Sequence, residues 1–124
     1  MTTSEVGAWA ESEAQRYLET RGLKFVKRNF HCKFGEIDLV MLDGDIIVFV
    51  EVRYRANNHF GTGFETITNA KQRRLATAAG SFLARHRRLS NRCARFDVVS
   101  VSGRNYHPSL LWIRDAFQNP YPPP

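Results

Sequence analysis

Two carboxylates lie at the ends of adjoining apolar segments. Asp38 lies within GEIDLVML, and Glu51 follows the apolar run of DIIVFVEVRY, with Arg53 on the same strand face because side chains alternate. Carboxylates at the end of a buried strand repel each other and resist removal from water, and a hard divalent cation favours such oxygen ligands. The pair therefore predicts a metal site. The alternative is an ordinary salt-bridged rim, in which Glu51 pairs with Arg53 or Lys71.

The distance between the two acids depends on the hairpin that joins the segments. Asp43-Gly44 is a strong signal for a two-residue turn. With that turn, Asp38 faces Phe49, and Glu51 is a diagonal neighbour on the same face, about 7–8 Å away. With a turn that begins one residue later, Asp38 lies directly opposite Glu51. A pairing shifted by a single residue would put the two acids on opposite faces and remove the site.

The elements that must position these residues follow from hydrophobic periodicity and capping residues. A first helix, capped by Ser4 or Thr3 and ended by Gly22, precedes the hairpin, and a second helix runs from Thr68 to about His86. Predicted strands cover residues 24–30, 35–42, 45–54, 95–101 and, as a short further strand, 110–113, with a loop at 55–65. This order predicts an α/β fold in which helices flank a mixed central sheet.

The positive charge of the chain is concentrated in one segment. The formal net charge is +6, and residues 66–96 hold eight basic side chains and no acidic one. The ten basic residues elsewhere are outnumbered by twelve acidic ones. This basic block, which begins with Lys71, Arg73 and Arg74, favours a polyanionic partner, most often nucleic acid. A solvated helix face is the simpler interpretation.

Length and composition exclude several classes of protein. With 124 residues the chain builds one domain, which we assign to residues 1–118, with a Pro-rich tail at 119–124. The apolar fraction of 43% is too high for intrinsic disorder. The longest apolar run has five residues, whereas a membrane helix needs about 20. The polar N-terminus shows no secretory signal, and two cysteines without zinc-type spacing fit free thiols in a reducing compartment, so we expect a cytoplasmic protein. We expect no membrane partner.

Several short pieces of the sequence together carry a resemblance. In chain order they are GAWAESEAQRYL, RNF, GEIDLV, VFVEVRYR, FG, AKQRRL and RFDVV. They resemble the PD-(D/E)XK nuclease superfamily, whose restriction-endonuclease-like core has the order αβββαβ. In particular, the chain is similar to the YraN family, small bacterial proteins related to archaeal Holliday-junction resolvases, over residues 7–117. GEIDLV and VFVEVRYR at this spacing are the most specific pieces.

The resemblance implies roles for the residues that fall on the superfamily signature. Asp38 matches the first signature acid, Glu51 matches the second, and the signature lysine falls on Arg53. A glutamate on the first helix, which completes the metal site in resolvase-like branches, matches Glu11. Together with the carbonyl of Val52, these acids are expected to hold Mg²⁺ or Mn²⁺.

Arg53 is a departure from the signature. Arginine can hold phosphate but is a poor base, because its pKa exceeds about 12. We expect Lys71 to supply the missing amine or to clamp phosphate. We also expect Lys71, Arg55, Arg73 and Arg74 to bind the nucleic-acid backbone, helped by the dipole at the start of the second helix.

The expected function is therefore a metal-dependent endonuclease on structured or branched DNA in repair or recombination. Its expected catalytic residues are Glu11, Asp38, Glu51, Arg53 and Lys71. Two other functions stay open: a nucleic-acid-binding protein of the same fold without catalysis, and a protein-interaction module whose basic face docks an acidic partner. The resolvase resemblance also implies a homodimer.

Overall fold

The candidate residues lie on a mixed five-stranded sheet that has a helix on each face. The computed structural model describes residues 2–55, 67–103 and 107–120. Its elements, in chain order, are α1 (Thr3–Thr20), β1 (Lys24–Cys32), β2 (Gly35–Asp43), β3 (Ile46–Arg55), α2 (Asn69–Arg85), a 3₁₀ turn (Arg87–Leu89), β4 (Ala94–Ser102) and β5 (Ser109–Phe117).

The strand order in the sheet is β1-β2-β3-β4-β5, with β3 and β4 parallel and the other neighbours antiparallel. The predicted α/β class and element order are confirmed, and the arrangement is consistent with a restriction-endonuclease-like core. β5 is longer than the strand predicted at 110–113. Apart from Arg55, the predicted loop at 55–65 lies outside the described residues, as does the tail from 121 onward.

The first helix begins earlier than predicted. The Thr2 hydroxyl accepts the backbone N–H of Glu5 at 3.1 Å, so Thr2 is the cap and the prediction of Ser4 or Thr3 is wrong. The reason is that the Thr2 side chain reaches an N–H of the first turn, which otherwise has no partner within the helix. The helix ends at Thr20 with Arg21 as its C-terminal cap, and Gly22 follows in the predicted left-handed conformation with a φ of +94°.

The second helix begins at the predicted cap. The Thr68 hydroxyl accepts the Lys71 N–H at 3.2 Å, and the helix ends at Arg85 with His86 as its C-terminal cap. The predicted apolar stripe faces the sheet; its members are Leu75, Ala78, Ala79 and Phe82, with Leu83 partly buried. Among the described residues, neither α1 nor α2 offers the long apolar stretch that a bilayer crossing requires.

Hydrophobic clusters on both faces of the sheet cover β3. Ile47 and Phe49 pack in the cluster under α2, whereas Val48 and Val50 pack in the cluster under α1. A strand covered on both sides is apolar at consecutive positions. This explains the apolar run at 46–50, and it means that Glu51 emerges directly from the core.

The hairpin between β2 and β3 turns at Gly44 and Asp45. Asp43 pairs with Ile46, and Gly44 occupies the first turn position with a φ of +59°, a conformation that favours glycine. The register predicted from an Asp43-Gly44 turn is therefore wrong. The observed register is the alternative, in which the turn begins one residue later.

A buried carboxylate, Asp97, joins β5 to β4. Its side chain has no exposed surface. It accepts hydrogen bonds from Arg95 Nε at 3.0 and 3.2 Å, Trp112 Nε1 at 2.9 Å and the Asp115 N–H at 2.9 Å. Arg95 also pairs with Asp43 at 2.9 Å, at the end of β2. A buried charge with several partners fixes the geometry around it, here across three strands.

Replacement of Asp97 by alanine is expected to destabilise the fold strongly. It leaves the Arg95 guanidinium with one partner fewer, and loss of one member of a buried ion pair costs about 3–5 kcal/mol. Asp45→Ala is the control, because Asp45 is fully exposed and lies 3.6 Å from Arg92, where solvent screens the pair. Urea unfolding measures both variants, and equal stabilities would contradict this role for Asp97.

Candidate functional site

Asp38 and Glu51 meet where β2 and β3 stop pairing. The last pair of the ladder is Leu39 with Val50, so Asp38 and Glu51 are the next residue on each strand. Asp38 Oδ2 accepts the backbone N–H of Val52 at 2.8 Å, a bond that a carbonyl of β2 would accept in a continued ladder. The structure thus brings the two carboxylates side by side.

The two faces of β2 exchange their cores at Asp38. Ile37 packs in the cluster under α2, whereas Leu39 packs in the cluster under α1. Residues two apart share one face of a regular strand, so the backbone twists between them. At the same level of β1, Asn29 has a φ of +54°. This local twist directs the Asp38 side chain towards the backbone of β3 instead of towards either core.

The Asp38 carboxyl is hard to ionise. Burial, followed by the charge of Glu51, raises the pKa of Asp38 to about 7, although the Val52 hydrogen bond acts in the opposite direction. Glu11 and Glu36 add to the increase. Acidic groups from α1, β2 and β3 therefore converge on this carboxyl.

Glu51 shares this environment but has basic neighbours. Burial raises the pKa of Glu51, and the charges of Lys71 and Arg53 oppose that increase. Lys71 Nζ lies 3.4 Å from Glu51 Oε1, which makes an ion pair between α2 and β3. The salt-bridge contact expected in the simpler interpretation is therefore present, together with the carboxylate pair.

Glu11 approaches the site from α1. Its carboxylate lies 3.4 Å from Arg28 Nε, and the Asn29 amide, oriented to donate, reaches its oxygens at 3.2 and 3.3 Å. Arg28 also donates to the Ser12 hydroxyl at 2.9 Å and to the Ala8 carbonyl at 2.6 Å. The strand β1 thus fastens Glu11 at the rim of the site. Sequence reasoning missed Arg28 and Asn29, for which the RNF piece is the signal.

The structure brings together few oxygen atoms that could bind a metal ion. Within residues 2–55, 67–103 and 107–120, no group of three Asp, Glu, His or Cys side chains is placed to hold a metal ion. The backbone of Val52 links the two carboxylates, because its N–H donates to Asp38 and it directly follows Glu51 in the chain. Because the N–H and C=O of one strand residue face the same neighbour, the Val52 carbonyl also faces β2. Metal binding by Asp38, Glu51, the Val52 carbonyl and Glu11 stays a prediction.

Two arginines continue the strand that carries Glu51. Arg53 lies two residues further along β3, and its charge acts on the Glu51 carboxylate. Arg55 is the last residue of β3, directly before the segment that lies outside the described residues. Both are half-buried. Their contacts with a phosphate stay predictions.

The exposed basic surface is smaller than the sequence block suggests. Arg95 is only 15% exposed and is bound to Asp97, so it belongs to the interior. In the part of the chain that the structure describes, the exposed basic residues of the block that form no ion pair are Arg73, Arg74, Arg85, Arg87 and Arg88. Arg73 and Arg74 lie within one helical turn of Lys71, so candidate phosphate contacts adjoin the carboxylate pair.

Comparison with known proteins reveals a family. The sequence profile described as "Uncharacterised protein family UPF0102" matches residues 10–101, which is most of the chain. The chain belongs to the UPF0102 family. This is the YraN family that the sequence pieces predicted. The matched segment of UPF0102 includes Glu11, Asp38, Glu51 and Lys71, so the candidate site lies within it.

UPF0102 relatives cover this chain almost from end to end. A UPF0102 protein of Nitrosococcus oceani is 44% identical over 117 residues, which is 94% of each chain. One from Pseudomonas putida is 44% identical over 116 residues, 93% of this chain and 94% of the relative. One from Legionella pneumophila is 40% identical over 115 residues, 93% of this chain and 96% of the relative.

Asp38→Asn is expected to stabilise the protein when no divalent metal is present. Asparagine keeps an oxygen for the Val52 N–H but removes the partly buried charge. The pKa of about 7 in the folded state lies above the ordinary 3.8, so between these values the folded state binds more protons than the unfolded state. Stability of the parent therefore falls as pH rises through this range and levels off above it.

Because one pKa unit corresponds to about 1.4 kcal/mol, the gain for Asp38→Asn should be on the order of 4 kcal/mol at pH 8 and smaller at pH 5. Urea unfolding in EDTA at both pH values measures it. Asp45→Asn, at the exposed end of the same hairpin, should show no such pH-dependent gain. A variant that is no more stable than the parent at pH 8 would contradict the buried-charge account of Asp38.

Proposed function

We propose that this chain is a metal-dependent endonuclease that hydrolyses phosphodiester bonds in DNA. The observation that carries the proposal is the partly buried pair of Asp38 and Glu51, each with a raised pKa, beside a basic helix face. A buried carboxylate pair is costly for a fold, and a bound cation relieves that cost. The resemblance of the motifs to resolvases supports structured or branched DNA, in repair or recombination, as the substrate.

The oxygen set fits Mg²⁺ or Mn²⁺. Proteins commonly bind Mg²⁺ through one or two carboxylates with several waters, so Asp38, Glu51 and the Val52 carbonyl suffice without a third acid. Such an ion supplies a water of lowered pKa and offsets negative charge on the phosphate. Glu11, held by Arg28 beside the pair, is available as a further acid.

The basic residues around the pair are suited to hold the phosphate. Arg53 has a permanent charge and a planar set of donors, so it can grip phosphate oxygens but cannot act as a base. Lys71 contacts Glu51. If Glu51 held a cation, the Lys71 ammonium would be free to donate to a phosphate oxygen.

Arg73 and Arg74 extend these contacts along α2. Both are exposed and lie in its second turn, next to the helix N-terminus, where the dipole favours an anion. Contacts of this kind bind the nucleic-acid backbone without reading its bases. We therefore infer that DNA binding by this face depends on salt and not on base sequence.

A second function, nucleic-acid binding without cleavage, is favoured by two observations. Lys71 already neutralises Glu51 without a cation, and Arg53 stands where the nuclease signature has lysine. In that case the basic face alone binds the nucleic acid. Neither EDTA nor the Glu51→Gln substitution should then change the affinity.

Cleavage of a four-way junction in Mg²⁺ or Mn²⁺ is expected to require both carboxylates. Asp38→Asn and Glu51→Gln should each lower the rate at least about 100-fold, because each removes a ligand of the cation that offsets phosphate charge. Asp45→Asn should cut like the parent. The measurement is gel analysis of end-labelled junction, flap and linear DNA, with EDTA as the metal-free control.

Two results of that assay decide between the functions. A parent protein that binds these DNAs but cuts none of them with either metal would establish binding without cleavage. An Asp38→Asn or Glu51→Gln variant as active as the parent would remove the carboxylate pair from the reaction.

The salt dependence of binding tests the basic face. Replacing both Arg73 and Arg74 by alanine should reduce the slope of log affinity against log salt for duplex DNA by roughly 2, since each phosphate contact contributes about 0.9. Arg16→Ala is the control, because Arg16 is 68% exposed on α1 and paired with Glu13. An unchanged slope in the double variant, measured by fluorescence anisotropy in EDTA, would refute these contacts.

A further inference from the structure

The turn between β1 and β2 presents an aromatic ring beside the basic face of α2. Phe34 is 60% exposed, the highest value for a large apolar side chain among the described residues. Lys33 Nζ lies 5.7 Å from its ring centroid, and Arg73 and Arg74 line the surface next to it. The metal and phosphate contacts proposed above make no use of this ring.

The turn is fixed against α2 at Gly35. A Cβ at Gly35 would lie 3.2 Å from the backbone oxygen of Arg74 and 3.5 Å from its Cβ, so the two backbones approach as closely as only glycine allows without displacement. Single exposed apolar residues are common on proteins. Phe34 differs from that ordinary case because the adjoining residue packs the turn onto the helix that carries the arginines.

Phe34 lines two open clefts, each with basic side chains in its wall. The first, of about 450 Å³, is lined by residues that include Lys71, Arg74 and Glu36. The second, of about 400 Å³, is lined by residues that include Arg73 and Arg74. Because Lys71 also contacts the carboxylate pair of the proposed function, the first cleft adjoins that site.

The surroundings of Phe34 favour a nucleic-acid strand over an apolar protein surface. The side chains beside the Phe34 ring include the cations Lys33, Arg73 and Arg74. The acid of the first cleft, Glu36, lies 3.3 Å from Nδ1 of His31. An unpaired strand offers phosphates to the cations and a flat base to the ring. Aromatic side chains within a basic groove hold single strands in this way.

We propose that Phe34 is a stacking platform for an unpaired base, with Arg73 and Arg74 holding the adjacent phosphates. This inference rests on the proposed function and narrows its substrate to DNA in which a base is free to leave the stack, as in a single strand, a flap or a junction. A blunt duplex keeps its bases within the helix and therefore does not use the platform.

The test is binding in EDTA to a single-stranded oligonucleotide that contains 2-aminopurine, and to a blunt duplex of the same sequence. Phe34→Leu keeps an apolar side chain without the aromatic face, and Phe34→Trp keeps the face. Phe25→Leu is the matched control, because Phe25 is a phenylalanine of β1 that is 42% exposed.

Phe34→Leu should lose about 5- to 150-fold in affinity for the single strand, together with the quenching of 2-aminopurine fluorescence on binding. Phe34→Trp and Phe25→Leu should retain both. Duplex affinity should change by less than about two-fold in all three variants, because duplex binding uses backbone contacts.

Equal affinities of Phe34→Leu and the parent for the single strand would overturn the inference, as would an equal loss for both forms of DNA. It would also be overturned if Phe34→Leu changed self-association in sedimentation and left single-strand binding intact, since the turn would then be an interface between copies. These measurements need no cleavage. A protein that shows the stacking loss in EDTA but cuts nothing in Mg²⁺ would support the platform while the endonuclease proposal fails.

Discussion

The candidate site depends on one hydrogen bond at the point where β2 leaves β3. The N–H of Val52, which a longer ladder would direct to a β2 carbonyl, is bound by the Asp38 carboxylate. This bond requires the twist that moves Ile37 and Leu39 to opposite cores, and it holds Asp38 beside Glu51. Regular pairing of β2 with β3 therefore ends at Leu39 and Val50, and the two acids lie side by side just beyond it.

The two helices then determine the electrostatics of that open end. Each helix buries its apolar stripe against one face of the sheet, and each also brings one charged group to the site, Glu11 from α1 and Lys71 from α2. The cover that stabilises the fold also removes water from Asp38, which is the largest cause of its raised pKa. Packing of the helices onto the sheet therefore both stabilises the fold and makes a positive charge beside the carboxylate pair favourable.

Local signals predicted most of the fold, and contacts between distant elements account for what they missed. The cap at Thr68 follows from side chains within one turn of the helix end, so it could be read from the sequence. Both hairpin registers keep the acids on one face and both place Gly44 in the turn, so the sequence does not distinguish them, whereas the pairing of Asp43 with Ile46 does. The links of Asn29 to Glu11 and of Asp97 to β5 join segments far apart in the chain, where hydrophobic periodicity carries no information.

The central claim is that Asp38 and Glu51 together hold a divalent cation. Crystals of the protein soaked in MnCl₂ test it directly, because the anomalous signal of manganese locates the ion without reference to activity. A manganese peak bonded to oxygens of both carboxylates is expected, with Lys71 Nζ moved away from Glu51, and no such peak is expected in Glu51→Gln crystals. Crystals in which manganese binds elsewhere or not at all, with the Lys71–Glu51 pair intact, would contradict it.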